Sequence, residues 1–214
     1  MECVIVSDAK SSNLKQLTEQ AIITSGVRCV VVEAQKSISY DNATTVHYDF
    51  DFNYNRCLNL GYRHTSENVC FANNDVIFYP HWQECERYLD DYGSLSLLNP
   101  GWGFHAGFIP PNIYEGYNTG RELCGWALIV SRETMAITGG FDEDVKFWTS
   151  DDLWRTQLQY HGIKHCLLTE YKIKHLTSKT LCSGLPSDKF KEYTHGQAKA
   201  VEKARRKYAR RDNA

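Results

Sequence analysis

The chain has 214 residues, 42% of them hydrophobic and 23% charged, with a formal net charge of -2. That composition is ordinary for a soluble globular protein, and one domain whose core needs no staples is expected. No apolar run approaches the ~18 residues needed to span a bilayer, and the net charge does not by itself point to a polyanion partner.

The N-terminal residues Met1-Glu2-Cys3-Val4-Ile5-Val6 carry no basic leader and enter a strand at once, so they do not read as a signal peptide. The run Cys3–Ser7 ends at Asp8. Ser11-Ser12-Asn13 can cap a helix with Leu14, Leu17, Ala21 and Ile22 on one face, stopped by Gly26. Arg28–Ala34 contains Cys29-Val30-Val31-Val32, a buried-strand composition, and carries Glu33 near its end. A short strand around Thr45–Phe50 follows, then a helical pattern with Tyr54, Leu58 and Tyr62 facing inward. Asn68-Val69-Cys70-Phe71-Ala72 is a strand that runs out at Asn73-Asn74-Asp75, and Val76-Ile77-Phe78-Tyr79 resumes immediately.

Strands alternating with helices predict a parallel sheet with right-handed crossovers, and ligands bind such sheets at the carboxyl ends of the strands. Asp8, Glu33 and Asp75 all fall at such ends, which is more acid than turn chemistry needs. A carboxylate between two buried β-segments is costly unless something offsets its desolvation. A hard divalent cation carrying a phosphate would do so. The competing explanation is a tight turn, since Asn and Asp both favour turns.

Pro80 opens another helical pattern through Asp91. Asn99–Gly120 is rich in Gly, Pro, Asn and aromatics, including Gly101-Trp102-Gly103-Phe104-His105, and a loop of that length is usually functional or mobile. Trp126–Val130 reads as a strand, and Ser131 caps a short helix broken by Gly139-Gly140-Phe141-Asp142. Asp151–His161 is helical, with Asp151 and Asp152 in its first turn and Gly162 as its stop. His165–Leu176 alternates as a strand or hairpin. From Ser187 the chain reads as helical to its end, with Phe190, Tyr193, Val201 and Tyr208 facing inward. From Lys199 to Arg211 it holds seven basic residues against one acid, Glu202. The eight cysteines form no CxxC pair and several lie in apolar runs, which reads as reduced thiols in a cytosol-like compartment. His161 and His165 are spaced i, i+4, but Gly162 lies between them and no third ligand is near, so no zinc site is expected.

Asp8, Glu33, the stretch Phe52-Asn53-Tyr54-Asn55-Arg56 through Asn59-Leu60-Gly61, and Asn73-Asn74-Asp75-Val76 together resemble the nucleotide-sugar half of a family 2 GT-A glycosyltransferase. Gly139-Gly140-Phe141-Asp142-Glu143 followed by Asp151-Asp152 resembles that family's acceptor half, where Gly-Gly-Phe-Asp-Glu precedes Glu-Asp. His175-Leu176-Thr177-Ser178 resembles the histidine that completes the metal site in many members. The resemblance covers roughly residues 3–180 and implies an α/β GT-A fold, Rossmann-like, with a mixed, mostly parallel central sheet flanked by helices. It implies one glycosyltransferase domain at 1–186, with a nucleotide-sugar half at 1–80 and an acceptor half at 95–180, and a basic C-terminal helix at 187–214.

The implied activity is metal-dependent, inverting transfer of a sugar from a nucleotide-diphosphate sugar, a UDP-sugar first, to an acceptor hydroxyl. Asp75 and His175 would hold Mn²⁺ or Mg²⁺, the histidine nitrogen suiting Mn²⁺ better. Asp8, Glu33, Arg56, Asn59, Asn73, Asn74 and Asp75 would form the donor site. Asp152 would be the general base, and Asp151 would bind hydroxyls or cap the helix. Trp102, His105, Gly125 and Trp126 would face the acceptor. Asn73 stands where the loose Asp-x-Asp pattern has its first acid, and Glu33 where Asp is commoner. The acceptor reads as a glycan or glycoconjugate. The alternative is a hydroxymethylated base in DNA, as for small soluble phage glycosyltransferases, since a basic tail and an aromatic loop suit a phosphate backbone and an extruded base. A nucleotidyltransferase would want a Gly-rich signature and a lysine after the first strand, where only Lys10 stands. A non-catalytic nucleotide-sugar-binding domain would not need both Asp75 and Asp152. A soluble, cytoplasmic enzyme is expected.

Overall fold

The first apolar runs fold as neighbours in one sheet. The computed structural model describes residues 1–147, 149–176 and 198–209. Strands β1 (Glu2–Ser7), β2 (Cys29–Glu33), β3 (Ala43–His47) and β4 (Val69–Asn73) are parallel and lie in the order β3-β2-β1-β4. Every residue of β1 and β2 is buried, as continuous apolar runs covered on both faces require. Helix α1 (Ser12–Ser25) joins β1 to β2. The Ser11 hydroxyl caps it by accepting from the Leu14 N–H, and Gly26 ends it at φ 64. Its buried face is Leu14, Thr18, Ala21 and Ile22, while Leu17 is only half-buried. Helix α2 (Tyr54–Tyr62) joins β3 to β4.

The second half continues the sheet with reversed strands. Its elements are β5 (Val76–Phe78), β6 (Ser94–Leu98), β7 (Ile113–Glu115), β8 (Ala127–Val130), α3 (Arg132–Thr138), α4 (Ser150–Tyr160), β9 (His165–His175) and α5 (Ala198–Ala209). The path is β3-β2-β1-β4-β8-β6-β9-β5, with β7 added on β9. β8 is antiparallel to β4 and β6, and β9 is parallel to β6 but antiparallel to β5 and β7. The sheet is therefore mixed, parallel through its N-terminal half, with helices on both faces.

Strand alternation sends side chains to two cores. Cys3 and Ile5 join Ala21, Ile22, Trp82 and Leu95 on one face. Val4 and Val6 join Leu58, Phe71, Phe141 and Trp154 on the other. Helix α5 packs through Ala204, Val201 and Tyr208 onto Val145, just before α4, and Leu153 within α4. The seven described cysteines are free and buried; Cys182 lies outside the described residues. Among the described residues no helix is long and apolar enough to cross a membrane.

Besides β7, a short strand inside the expected loop Asn99–Gly120, three elements differ from their sequence expectation. The strand expected over Thr45–Phe50 is Ala43–His47. The helix expected from Pro80 is a 3-10 run, Trp82–Asp90, entered through His81 at φ 66. Ser94–Leu98, which no pattern singled out because Ser94 and Ser96 interrupt its apolar run, is a buried inner strand. Their hydroxyls hydrogen-bond the buried His165 ring. Phe190, Tyr193, Thr177 and Ser178 lie outside the described residues.

Candidate active site

The parallel register places the ends of β2, β1 and β4 side by side, so Glu33, Asp8 and Asn73-Asn74-Asp75 share one sheet edge. Antiparallel β8 begins where β4 stops: the Asn73 N–H donates to the Trp126 carbonyl at 2.9 Å. β9 arrives from the other side and pairs Val76 with His175. The result is a pair that sequence reading had joined only by resemblance. Asp75 Oδ1 and His175 Nε2 are 3.1 Å apart, with side chains 3% and 11% exposed.

Around that pair stand Asn73, Tyr54 and Trp126. The Tyr54 hydroxyl donates to Asn73 Oδ1 at 2.8 Å, and Asn73 Nδ2 is 3.4 Å from His175 Nε2. The Trp126 ring stacks on the His175 ring, with centroids 5.3 Å apart and planes at 21°. Burial pushes the Tyr54 phenol up, and the charges of Asp75 and Asp151 add to the shift. Tyr54 therefore marks the junction of the two halves. Sequence reading placed it in the core, because its spacing to Leu58 and Tyr62 is helical.

Asp151 and Asp152 open α4 after Thr149, which sits at φ 71, a strained conformation for a β-branched residue. The two carboxylates separate. Asp152 Oδ1 accepts from the Thr119 hydroxyl at 2.8 Å and is 3.5 Å from the Arg155 guanidinium. Asp151 packs against Gly125, where an added Cβ would lie 3.4 Å from the Asp151 Cβ. Burial, then the adjacent Asp152 charge, pushes the Asp151 carboxyl up to about 6.

Other expected residues lie at the margin or are spent on the fold. Asp8 keeps the edge, accepting from Gln35 Nε2 at 2.7 Å and pairing with Lys10 at 2.5 Å. Glu33 is fully buried and takes the N–H groups of Ala9 and Gln35 and the Tyr40 hydroxyl, so it shapes the loop beside Asp8. Asn74 is buried with its amide 3.4 Å from the Thr18 hydroxyl. Arg56 lies over the Phe50 ring and pairs with Glu143. Asn59 brackets Phe141, donating to its carbonyl and accepting from its N–H. Trp102 donates to the Gly120 carbonyl and stands edge-on to Trp126. His105 is buried beneath, Nδ1 accepting from the Asn99 N–H and Nε2 donating to the Arg121 carbonyl. Both its nitrogens are occupied, so it supports the aromatic floor and does not face an acceptor.

No protein-family model and no curated protein matches the sequence. Solved structures do match. GalNAc-T7 with UDP, GalNAc and Mn²⁺ superposes at a TM-score of 0.65 with 9% identity, over 81% of this chain and 43% of that one. S. aureus TarS 1-349 superposes at 0.53 with 13% identity, over 80% of this chain and 60% of that one. TarS 1-349 in complex with UDP-GlcNAc gives 0.54 and 15%, over 94% of this chain and 66% of that one. The chain thus spans less than two thirds of the length of each of these three structures. At such identity the likeness is one of architecture. With the strand order and the edge described above, it leads to one conclusion: this chain has the GT-A fold of nucleotide-sugar glycosyltransferases.

Proposed function

We propose that the protein is a metal-dependent, inverting glycosyltransferase that moves a sugar from a UDP-sugar to a hydroxyl of a glycan or glycoconjugate. The observation that carries this reading is the Asp75–His175 pair at the sheet edge, with Asp151 held nearby across Tyr54. Two ligand atoms about 2.1 Å from one cation and at right angles to each other stand about 3 Å apart. Asp75 Oδ1 and His175 Nε2, at 3.1 Å, fit that edge. Among the described residues no third acid, histidine or cysteine completes a cluster. Two protein ligands suit a hard cation that shares substrate phosphates, and the nitrogen favours Mn²⁺ over Mg²⁺. When bound, the cation would neutralise charge on the departing diphosphate. The Mn²⁺ and UDP of the GalNAc-T7 complex and the UDP-GlcNAc of the TarS complex support the same ligand class.

The remaining steps fall to side chains. Asp8, at the adjacent strand end, orients the nucleoside. Asn73, held by Tyr54, sets the side of the pocket next to His175. The sequence reading gave the base to Asp152, but the geometry supports Asp151. Asp152 is committed to Thr119 and Arg155, whereas the Asp151 carboxyl, at about 6, has a proton affinity suited to work near neutral pH. As the acceptor oxygen bonds to the anomeric carbon, its proton passes to Asp151 and the sugar–phosphate bond breaks on the opposite face. Inversion follows from that arrangement.

A glycan acceptor is favoured over DNA, because the basic tail is partly spent within the chain. Lys203, Arg206 and Lys207 pair with Asp144, Glu202 and Asp142. The reading is tested by thermal melting. UDP with Mn²⁺ should raise the midpoint, and Asp75→Ala should remove the shift. No shift with any nucleotide diphosphate and metal would overturn it.

A further inference from the structure

The described tryptophans differ in one respect. The indole N–H groups of Trp82, Trp102 and Trp154 donate to the Ser25 carbonyl, the Gly120 carbonyl and the Ser94 hydroxyl. Trp126 Nε1 is buried and has no hydrogen-bond partner among the described residues. Leaving a buried donor unmade costs more than a typical hydrogen bond contributes, so such a group calls for a reason. Among the described residues, the groups packed around Trp126 are mostly rings. Its ring stacks on His175, whose Nε2 faces Asp75, and lies edge-on to His105, whose two nitrogens are occupied. Trp102 closes a third side with its ring edge. The Trp126 backbone is itself fixed, its carbonyl accepting from Asn73 next to Asp75. The indole N–H thus stands without a partner among the described residues, on a ring stacked against the pair proposed to carry the diphosphate.

We infer that the Trp126 indole N–H hydrogen-bonds an oxygen of the bound nucleotide sugar, either a phosphate oxygen or a hydroxyl of the sugar to be transferred. The inference rests on the donor reading of Asp75 and His175. It makes Trp126 a donor-binding residue, where the sequence pattern had grouped it with the acceptor.

The test is the indole ¹⁵N–¹H spectrum of the full chain, which carries five tryptophans, with diamagnetic Mg²⁺ in place of Mn²⁺. Trp126→Phe identifies the resonance by its loss. UDP or UDP-GlcNAc with Mg²⁺ should move that resonance downfield, and Trp126→Phe should weaken the same ligand about tenfold, the worth of one hydrogen bond. A shift with UDP alone assigns the partner to the diphosphate. A shift only with the UDP-sugar assigns it to the saccharide. If either ligand raises the melting temperature of the wild type while the Trp126 resonance stays still, the inference is overturned and the donor reading stands. If neither ligand binds, the donor reading fails and takes the inference with it. A purely structural Trp126 would lower the melting temperature on substitution without moving either the spectrum or the affinity.

Discussion

Asp151 is held ionised at neutral pH against its surroundings. Its carboxyl is pushed up to about 6 from an ordinary value near 3.8, by burial first and then by Asp152. The sign follows from linkage. The folded state binds the proton more tightly than the unfolded chain, so this side chain costs stability as pH rises from about 4 through about 6, and the cost is full above that. Asp151→Asn should therefore stabilise the metal-free protein by about 1–3 kcal/mol at pH 7.5 and by much less at pH 4.5. Transfer should fall by about 10²–10⁴-fold with UDP binding retained. Melting curves at the two pH values and a donor-binding titration check both halves. The sequence made the acidic pair legible, since two acids in a first turn stand out. It could not say which one faces the sugar, because Thr119, which draws Asp152 aside, sits in a loop whose path only the fold sets.

At the scale of elements, α2 does something its residue types did not advertise. Asn59 was expected in the donor site, yet it joins Asn53 and Asn55 in binding the loop that precedes α4. Asn53 Nδ2 donates to the Glu143 carbonyl, Asn55 Nδ2 to the Asp142 carbonyl, and Asn59 brackets Phe141. The Ser150 hydroxyl donates to Asn55 Oδ1, which brings the start of α4 into the same clamp. Gly140 lies at φ 90 in this loop, and an added Cβ would meet Asn59 Oδ1 at 2.7 Å. Gly140→Ala should cost about 2–4 kcal/mol, combining backbone strain with displacement of the Asn59 amide. Urea unfolding measures it, and an unchanged midpoint would show that α2 does not hold the loop. β6 gives the opposite lesson. Its serines hid a buried strand, because their hydroxyls find partners such as His165 only after distant segments have packed.

Across the whole molecule, α5 ties the end of the described chain back to the site. Asp142 is buried. Burial alone would raise its carboxyl, but the Asp144 N–H, Lys207 and Tyr208 hold it below the ordinary value. Lys207 Nζ and the Tyr208 hydroxyl both reach Asp142 Oδ2 at 2.9 Å. A lowered carboxylate contributes stability that is present above its unfolded value and is lost as pH falls through the folded one. Lys207→Met should loosen α5 by roughly 1 kcal/mol at neutral pH, the Lys207 head being well exposed, and should change little once Asp142 is protonated. Hydrogen exchange of the α5 amides at neutral and acid pH reads that difference directly. A helix equally protected in wild type and variant at neutral pH would show that apolar packing on Leu153 and Val145 suffices.

What the amino-acid sequence determined by itself was local: the buried strands from their apolar runs, α1 from its cap and glycine stop, and acids at the ends of β1, β2 and β4. Those signals are complete within a few residues, because periodicity and capping act inside one element. The tertiary structure alone decided that His175 meets Asp75, that Tyr54 bridges to Asn73, that Glu33 and His105 bond within the scaffold, and that the Trp126 N–H finds no partner among the described residues. Each depends on which segments become neighbours in the sheet. A side chain's remaining hydrogen-bonding capacity exists only after those neighbours have taken their share.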